Sequence, residues 1–197
     1  MWNDAVPLNY KTMRHLQSKI VLGISLFTGS VMAEETKILE QFDNDQQELQ
    51  WQAVNDGVMG GRSKGDFDLK ESSALLFKGE ISLENNGGFS SIRSYGNQYD
   101  LSKYDGIEIK VKGDGRKYYL TARCNGSRMP AYWSPIQPDK GKWTTVKVPL
   151  SAFYATSFGR RIPSLKLNTK KVTSVGFMLY DKKAGEFELE IDWINAY

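Results

Sequence analysis

From Asp105 onward the side chains alternate with period two. Ile107, Ile109 and Val111 face one way, and Glu108, Lys110 and Lys112 face the other. This is the pattern of a half-buried β-strand. Tyr118, Leu120, Ala122 and Cys124 then alternate with Tyr119, Thr121 and Arg123, and Gly113-Asp114-Gly115 between the two runs predicts a hairpin. Residues 172–180 and 187–194 read as two further strands. In the second, Phe187, Leu189, Ile191 and Trp193 oppose Glu188, Glu190 and Asp192, an acidic row that reads as a solvated strand face. Weaker alternation marks strands at 38–42, 65–69, 74–83 and 143–148. Residues 132–137, flanked by Pro130, Pro135 and Pro138, read as an edge strand or an ordered loop. Ser151 is placed to cap a single helical turn carrying Phe153, and residues 158–169 read as a long loop. About ten short strands at near-regular spacing, with hardly any helix and no long repeat, predict a single all-β sandwich domain.

Two stretches break the alternation. Residues 51–63, W-Q-A-V-N-D-G-V-M-G-G-R-S, are too irregular for a strand and too apolar for a linker. They predict a loop that turns sharply while burying side chains, because Gly supplies positive φ and Asn or Asp tolerates it. Glu84-Asn85-Asn86-Gly87-Gly88-Phe89 is a second turn cluster, and the two Gly-rich blocks are placed to meet at one end of a sandwich. Asp43-Asn44-Asp45 reads as a turn, since no full calcium-loop pattern follows it.

Composition changes the picture mainly at the N-terminus. Arg14, His15 and Lys19 precede an apolar run at 20–32, and Val31-Met32-Ala33 stands before Glu34-Glu35. That is the layout of a secretory signal peptide starting at Met13, with residues 1–12 upstream of the true start and cleavage expected after Ala33. The run is shorter than the roughly 20 residues a spanning helix needs, so no transmembrane segment is expected once the leader is gone. The predicted mature domain is 34–197, exported to the periplasm of a Gram-negative bacterium.

Residues 1–33 hold three of the 26 Lys and Arg and one of the 23 Asp and Glu, so the remainder carries +1 where the whole chain carries +3. Such a surface offers nucleic acid no basic field. The sole histidine, His15, lies in the leader, and Cys124 is the one cysteine. Zinc and copper sites lean on those two residue types, so no metal and no cofactor is expected. Gly61-Arg62-Ser63-Lys64-Gly65 matches the nucleophile-elbow string but lacks a histidine to take the serine proton, and no phosphate-loop pattern occurs. No catalytic residue is assigned, and the chain reads as a non-enzyme.

What remains is a binding constellation. Asn55, Asp56, Asn86, Arg93, Arg123 and Tyr132 lie in or beside Gly-rich loops, where a sandwich carries recognition, and Val58 and Met59 offer an apolar contact. Asp56 reads either as a turn residue bonding the backbone or as a ligand contact. Arg93 and Arg123 are either partners of a loop carboxylate such as Asp56 or ligand-binding groups. Trp51, Trp143 and Trp193 read as core residues, with sugar stacking the other use of such rings.

Five blocks in order carry a family resemblance. They are residues 51–63; Phe77-Lys78-Gly79 leading to Ser82-Leu83-Glu84-Asn85-Asn86-Gly87-Gly88-Phe89-Ser90-Ser91-Ile92-Arg93; Tyr104-Asp105-Gly106-Ile107 with Lys112-Gly113-Asp114-Gly115-Arg116; Ser174-Val175-Gly176-Phe177-Met178-Leu179; and residues 187–194. Together they resemble the complex I intermediate-associated protein 30 family over residues 40–197. The resemblance implies a galactose-binding-like jelly-roll sandwich and a chaperone-like assembly factor without catalysis. A protein partner is expected on that basis, with a carbohydrate-binding sandwich as the alternative.

Overall fold

The computed structural model describes residues 36–42 and 50–197. The leader, its cleavage point and the Asp43-Asn44-Asp45 turn lie outside the described residues. In chain order the strands are β1 (Lys37–Gln41), β2 (Trp51–Asn55), β3 (Lys64–Leu69), β4 (Leu75–Ile81), β5 (Ser90–Ser94), β6 (Gly106–Gly113) and β7 (Tyr118–Cys124). There follow β8 (Ala131–Ile136), β9 (Trp143–Pro149), β10 (Tyr154–Ser157), β11 (Arg160–Arg161), β12 (Val172–Leu179) and β13 (Gly185–Ala196). They form two antiparallel sheets. The first runs β3-β4-β13-β6-β9, with β1 on the C-terminal half of β13, and the second runs β11-β10-β8-β7-β12-β5-β2. The expected jelly-roll sandwich is the fold found. No helix among the described residues is long and apolar enough to cross a membrane.

The alternation explains the layering. Ile107, Ile109 and Val111 of β6 and Leu189, Ile191 and Ile194 of β13 are fully buried, as are Leu120 and Ala122 of β7 and Val175 and Phe177 of β12. The inner faces of both sheets thus form one core, tightened where Phe77 meets Phe187 edge-on at 4.7 Å.

Several expectations need correction. Alternation fixes which face of a strand is buried but not which strand it pairs with. β6 and β7 lie in different sheets, so Gly113-Asp114-Gly115 begins a crossing and not a hairpin. β8 is an interior strand; β10 pairs only its Ala131–Trp133 part, leaving Pro135 beside an open edge where its missing N–H costs little. The first five residues of the 51–63 stretch form edge strand β2, and only then does a 3-10 turn (Asp56–Met59) begin. Ser151 sits inside a 3-10 turn without capping it, and the expected loop at 158–169 contains β11. In β13 a bulge falls between Ile191 and Trp193, which sends Ile194 into the core and half-exposed Trp193 outward beside Lys110. Trp51 is buried, but Trp143 is exposed on the outer face of the first sheet, with the ammonium groups of Lys110 and Lys112 over its ring. Nor is the acidic row uniformly solvated, because Glu190 is buried between Lys70 at 2.9 Å and Lys112 at 2.5 Å.

Five connections cross between the sheets at one end, since Leu179 pairs with Ser90, Tyr118 with Ile136, Gly185 with Ile81 and Lys112 with Trp143. Two of them, β6–β7 and β12–β13, are joined by Arg116. Its Nε and one terminal nitrogen bond the two oxygens of Asp181 at 3.0 and 2.7 Å, and its guanidinium also donates to the carbonyls of Lys183, Gly185 and Glu186. Removing one member of so buried a pair strands the other charge. Arg116→Ala should lower the unfolding free energy by about 3 kcal/mol, with Arg116→Lys recovering only part, because an ammonium cannot make the two parallel bonds. Urea unfolding checks this, and a loss within the range of an exposed ion pair, below about 1 kcal/mol, would contradict it.

Candidate functional site

Two more of these crossings, β2–β3 and β4–β5, are held by Asp56, which is 1% exposed. Its Oδ1 accepts the backbone N–H of Ser63 at 2.9 Å. Its Oδ2 accepts the Ser63 hydroxyl at 2.5 Å and the N–H groups of Gly88 at 2.6 Å and Phe89 at 3.2 Å. Ser63 Oγ in turn accepts from Ser82 N, and Asn85 Nδ2 donates to the Gly60 carbonyl, so the two Gly-rich blocks do meet. Glycine is required where they close on the carboxylate: a Cβ at Gly61 would lie 2.3 Å from the Asp56 carboxyl carbon, and one at Gly87 2.6 Å from Oδ2. Asn55 is likewise engaged, donating to the Gly65 carbonyl at 2.9 Å and accepting from Ser90 Oγ at 2.7 Å. Both side chains are occupied by these internal hydrogen bonds, and the Asp56 carboxylate is closed off from solvent. Ser63 lies between a 3-10 turn and a strand, its hydroxyl spent on Asp56.

The clamp has a second effect. It holds the 3-10 turn so that Val58 and Met59 stand out at 75% and 62% exposure. They form one rim of a cavity of about 290 Å³ on the outer face of the second sheet. Phe158, in the β10–β11 turn, forms another rim at 78% exposure with φ of +47°, an uncommon conformation for so bulky a residue. The walls and floor come from alternate residues of neighbouring strands, including Arg93 of β5, Arg123 of β7, Trp133 of β8 and Met178 of β12. Gly176 of β12 pairs with Arg93 on one side and Thr121 on the other, so it adds no side chain to that part of the face.

Of the residues expected to bind, the structure brings together Val58, Met59, Asn86, Arg93 and Arg123 around this cavity. Asp56 is buried behind the loops, and Asn55 lies outside this cavity, beside a separate groove. Tyr132 is corrected outright: it pairs with Ala122 of β7 and shares that residue's inward face, so its ring is buried in the core. Its neighbour Trp133 takes the outer face instead. Trp133 is 8% exposed, lies 5.4 Å from the Tyr119 ring and 5.9 Å from the Tyr180 ring, and its Nε1 has no hydrogen-bond partner among the described residues. Trp133, Met178, Tyr180 and Phe158 were absent from the sequence-based set. The alternation of Met178 with Tyr180 carried a usable signal, whereas the prolines around β8 hid the parity of Trp133.

The two arginines are not partners of Asp56. Arg123 donates from Nε to the Arg128 carbonyl at 3.1 Å, and among the described residues neither Arg93 nor Arg123 has an ion pair. Burial depresses the Arg93 pKa, aided by the nearby charge of Arg128. Burial and the charge of Arg93 push Arg123 down to about 10. Both shifts are those of cations held together without a counter-charge. A larger open groove of about 790 Å³ runs along the edge near Asn55, Lys78 and Asp114, where the Asp114 carboxylate is already engaged by Arg116 N, Tyr118 and Glu188 N.

The Complex I intermediate-associated protein 30 family model matches residues 40–191. The mouse protein named complex I intermediate-associated protein 30, mitochondrial, is 29% identical over 190 residues, covering 85% of this chain and 58% of its own length. Its namesake from Drosophila melanogaster is 29% identical over 188 residues, covering 82% of this chain and 62% of its own. The chain therefore spans roughly three-fifths of these relatives. They are mitochondrial proteins of eukaryotes, a finding that overturns the expected export to a Gram-negative periplasm. Among solved structures, the family 11 carbohydrate-binding module of the cellulase Lic26A-Cel5E from Clostridium thermocellum superposes with a TM-score of 0.61. It has 19% identity and covers 83% of this chain and 95% of its own. The agarase AgWH50C gives a TM-score of 0.57 at 10% identity, over 82% of this chain and 24% of its own. At these identities the likeness shows the shared sandwich fold alone.

Burial by itself would raise the Asp56 pKa, but the hydrogen bonds from Ser63, Gly88 and Phe89 outweigh it and hold the carboxyl below its ordinary value. A folded value below the unfolded value of about 3.9 means that the stabilisation is fully present above that pH. It is lost as pH falls through the folded value. Asp56→Asn should cost about 2 kcal/mol at pH 7, and the gap to wild type should close below about pH 4. Urea midpoints across that range check this; a gap independent of pH would show that the charge is not what holds the loops.

Proposed function

The chain belongs to the complex I intermediate-associated protein 30 family, and we propose that it is a non-catalytic binding module that grips a protein partner during assembly of respiratory complex I. The observation that carries this reading is the rim of the second-sheet cavity. Val58, Met59 and Phe158 are large apolar residues held outward by a closed hydrogen-bond clamp and a tight turn, around an otherwise buried floor. Exposed apolar groups gathered at one concavity are what a protein interface uses. Methionine, unbranched and polarisable, suits a surface that must fit several intermediates.

A carbohydrate ligand is the second reading. It draws on the aromatic rings of the same face and on neighbours described as carbohydrate-binding modules, one of them in complex with a mixed-linked tetrasaccharide. Trp133, wedged between two tyrosines, has little free ring face for a sugar to stack on.

In cells depleted of this protein, complex I should stall as partial assemblies on native gels. The wild-type chain should restore it, whereas Met59→Glu combined with Phe158→Glu should not. Both positions are exposed, so the variant should keep the wild-type melting temperature. Normal complex I in depleted cells would overturn the reading. A neutral oligosaccharide that raises the melting temperature would favour the second one, because a ligand specific to the native state stabilises it by mass action.

A further inference from the structure

Three arginines stand together with no carboxylate beside them among the described residues. Arg93 and Arg123 line both the 290 Å³ cavity and an adjoining one of about 570 Å³, and Arg128 lines the second. No Asp or Glu is among the residues that line either cavity. Uncompensated, partly buried cations cost stability. They are understandable where a ligand supplies the missing charge. Arg123 uses only Nε internally, which leaves both of its terminal nitrogens, and Arg93 makes no hydrogen bond or ion pair among the described residues. The guanidinium fork matches a carboxylate with two parallel bonds. Trp133 lines the same cavity, and its buried Nε1 is a donor with no partner among the described residues. An indole N–H is a donor only, so what it lacks is an oxygen.

Taking the protein-binding reading above as premise, we propose that Arg93 and Arg123 receive the carboxylate of an acidic, extended segment of the partner protein, whose adjacent apolar side chain seats against Met178 and Trp133. Charge complementarity selects the acidic residue. The rest of the cavity selects protein over polysaccharide, because its methionines Met59, Met129 and Met178 are adaptable apolar contacts and not hydroxyl partners. The lowered pKa values of both arginines agree with a site that waits for an anion.

The test uses the purified full chain and a fluorescein-labelled decapeptide of alternating Glu and Leu, read by anisotropy, with the Gln-for-Glu peptide and an oligogalacturonate as comparisons. The Glu peptide should bind, weaken with added salt, and bind at least tenfold more tightly than the Gln peptide. Arg93→Gln and Arg123→Gln should each weaken it at least tenfold while leaving the melting temperature unchanged or higher, since each removes an uncompensated charge. Should either Gln variant unfold, Arg93→Lys keeps the charge without the fork and should still lose at least fivefold. Equal binding of the Glu and Gln peptides, or binding of neither, overturns the proposal. So does oligogalacturonate binding that depends on the arginines while peptide binding does not. In depleted cells, rescue by Arg93→Gln/Arg123→Gln but not by the Met59→Glu/Phe158→Glu variant would overturn this inference alone, and normal complex I without the protein would remove its premise.

Discussion

Asp56 carries its carboxylate almost entirely out of water, and a charge there is tolerable only while donors surround it. Four hydrogen bonds do so, three of them from backbone N–H groups. Because those groups belong to two different sheet-crossing connections, the need of one side chain fixes both loops at once. The same need explains two of the glycines. Gly61 and Gly87 approach the carboxylate so closely that any Cβ would collide with it, so these two glycines follow from the clamp, while Gly60 and Gly88 answer to positive φ. At the same end of the sandwich Arg116 performs a parallel task for two more of the five crossings, β6–β7 and β12–β13. It answers Asp181 with two nitrogens and three carbonyls with the rest of its donors. Four crossings are thereby held by two buried carboxylates, one met by backbone donors and one by an arginine.

How much of this was legible beforehand depended on whether the information was local. The period-two runs of β6 and β7 gave their buried faces correctly, because Ile107 or Leu120 needs only its neighbours in sequence to declare a face. Their assignment as a hairpin failed, since a strand that faces inward from one sheet has the same pattern as one that faces inward from the other. Parity failed at Trp193, where a single bulged residue reversed the remainder of β13. It failed again at Tyr132 and Trp133, where prolines obscured the strand and the wrong aromatic was taken for the surface one. Arg93 and Arg123 were recognisable as unusual polar residues in apolar strands. Their supposed partner was not available, because Asp56 had been committed to residues 63, 88 and 89 by contacts up to 33 positions away in sequence.

The two outer faces of the sandwich make the functional argument by contrast. On the first sheet several charges are matched: Glu190 lies between Lys70 and Lys112, Asp192 meets Lys110, and Asp68 meets Lys78. Even its exposed indole, Trp143, is covered by the ammonium groups of Lys110 and Lys112. A face so satisfied has little to gain from a partner. Among the described residues, the second sheet's face holds arginines without carboxylates, an indole N–H without an acceptor and apolar rims turned to water. Each of these is unfavourable in isolation, and each is relieved by the same kind of event, the arrival of a chain with oxygens and apolar side chains. Differential satisfaction of the two faces, and not the fold they share with carbohydrate-binding modules, is the ground on which the second sheet is proposed as the binding surface.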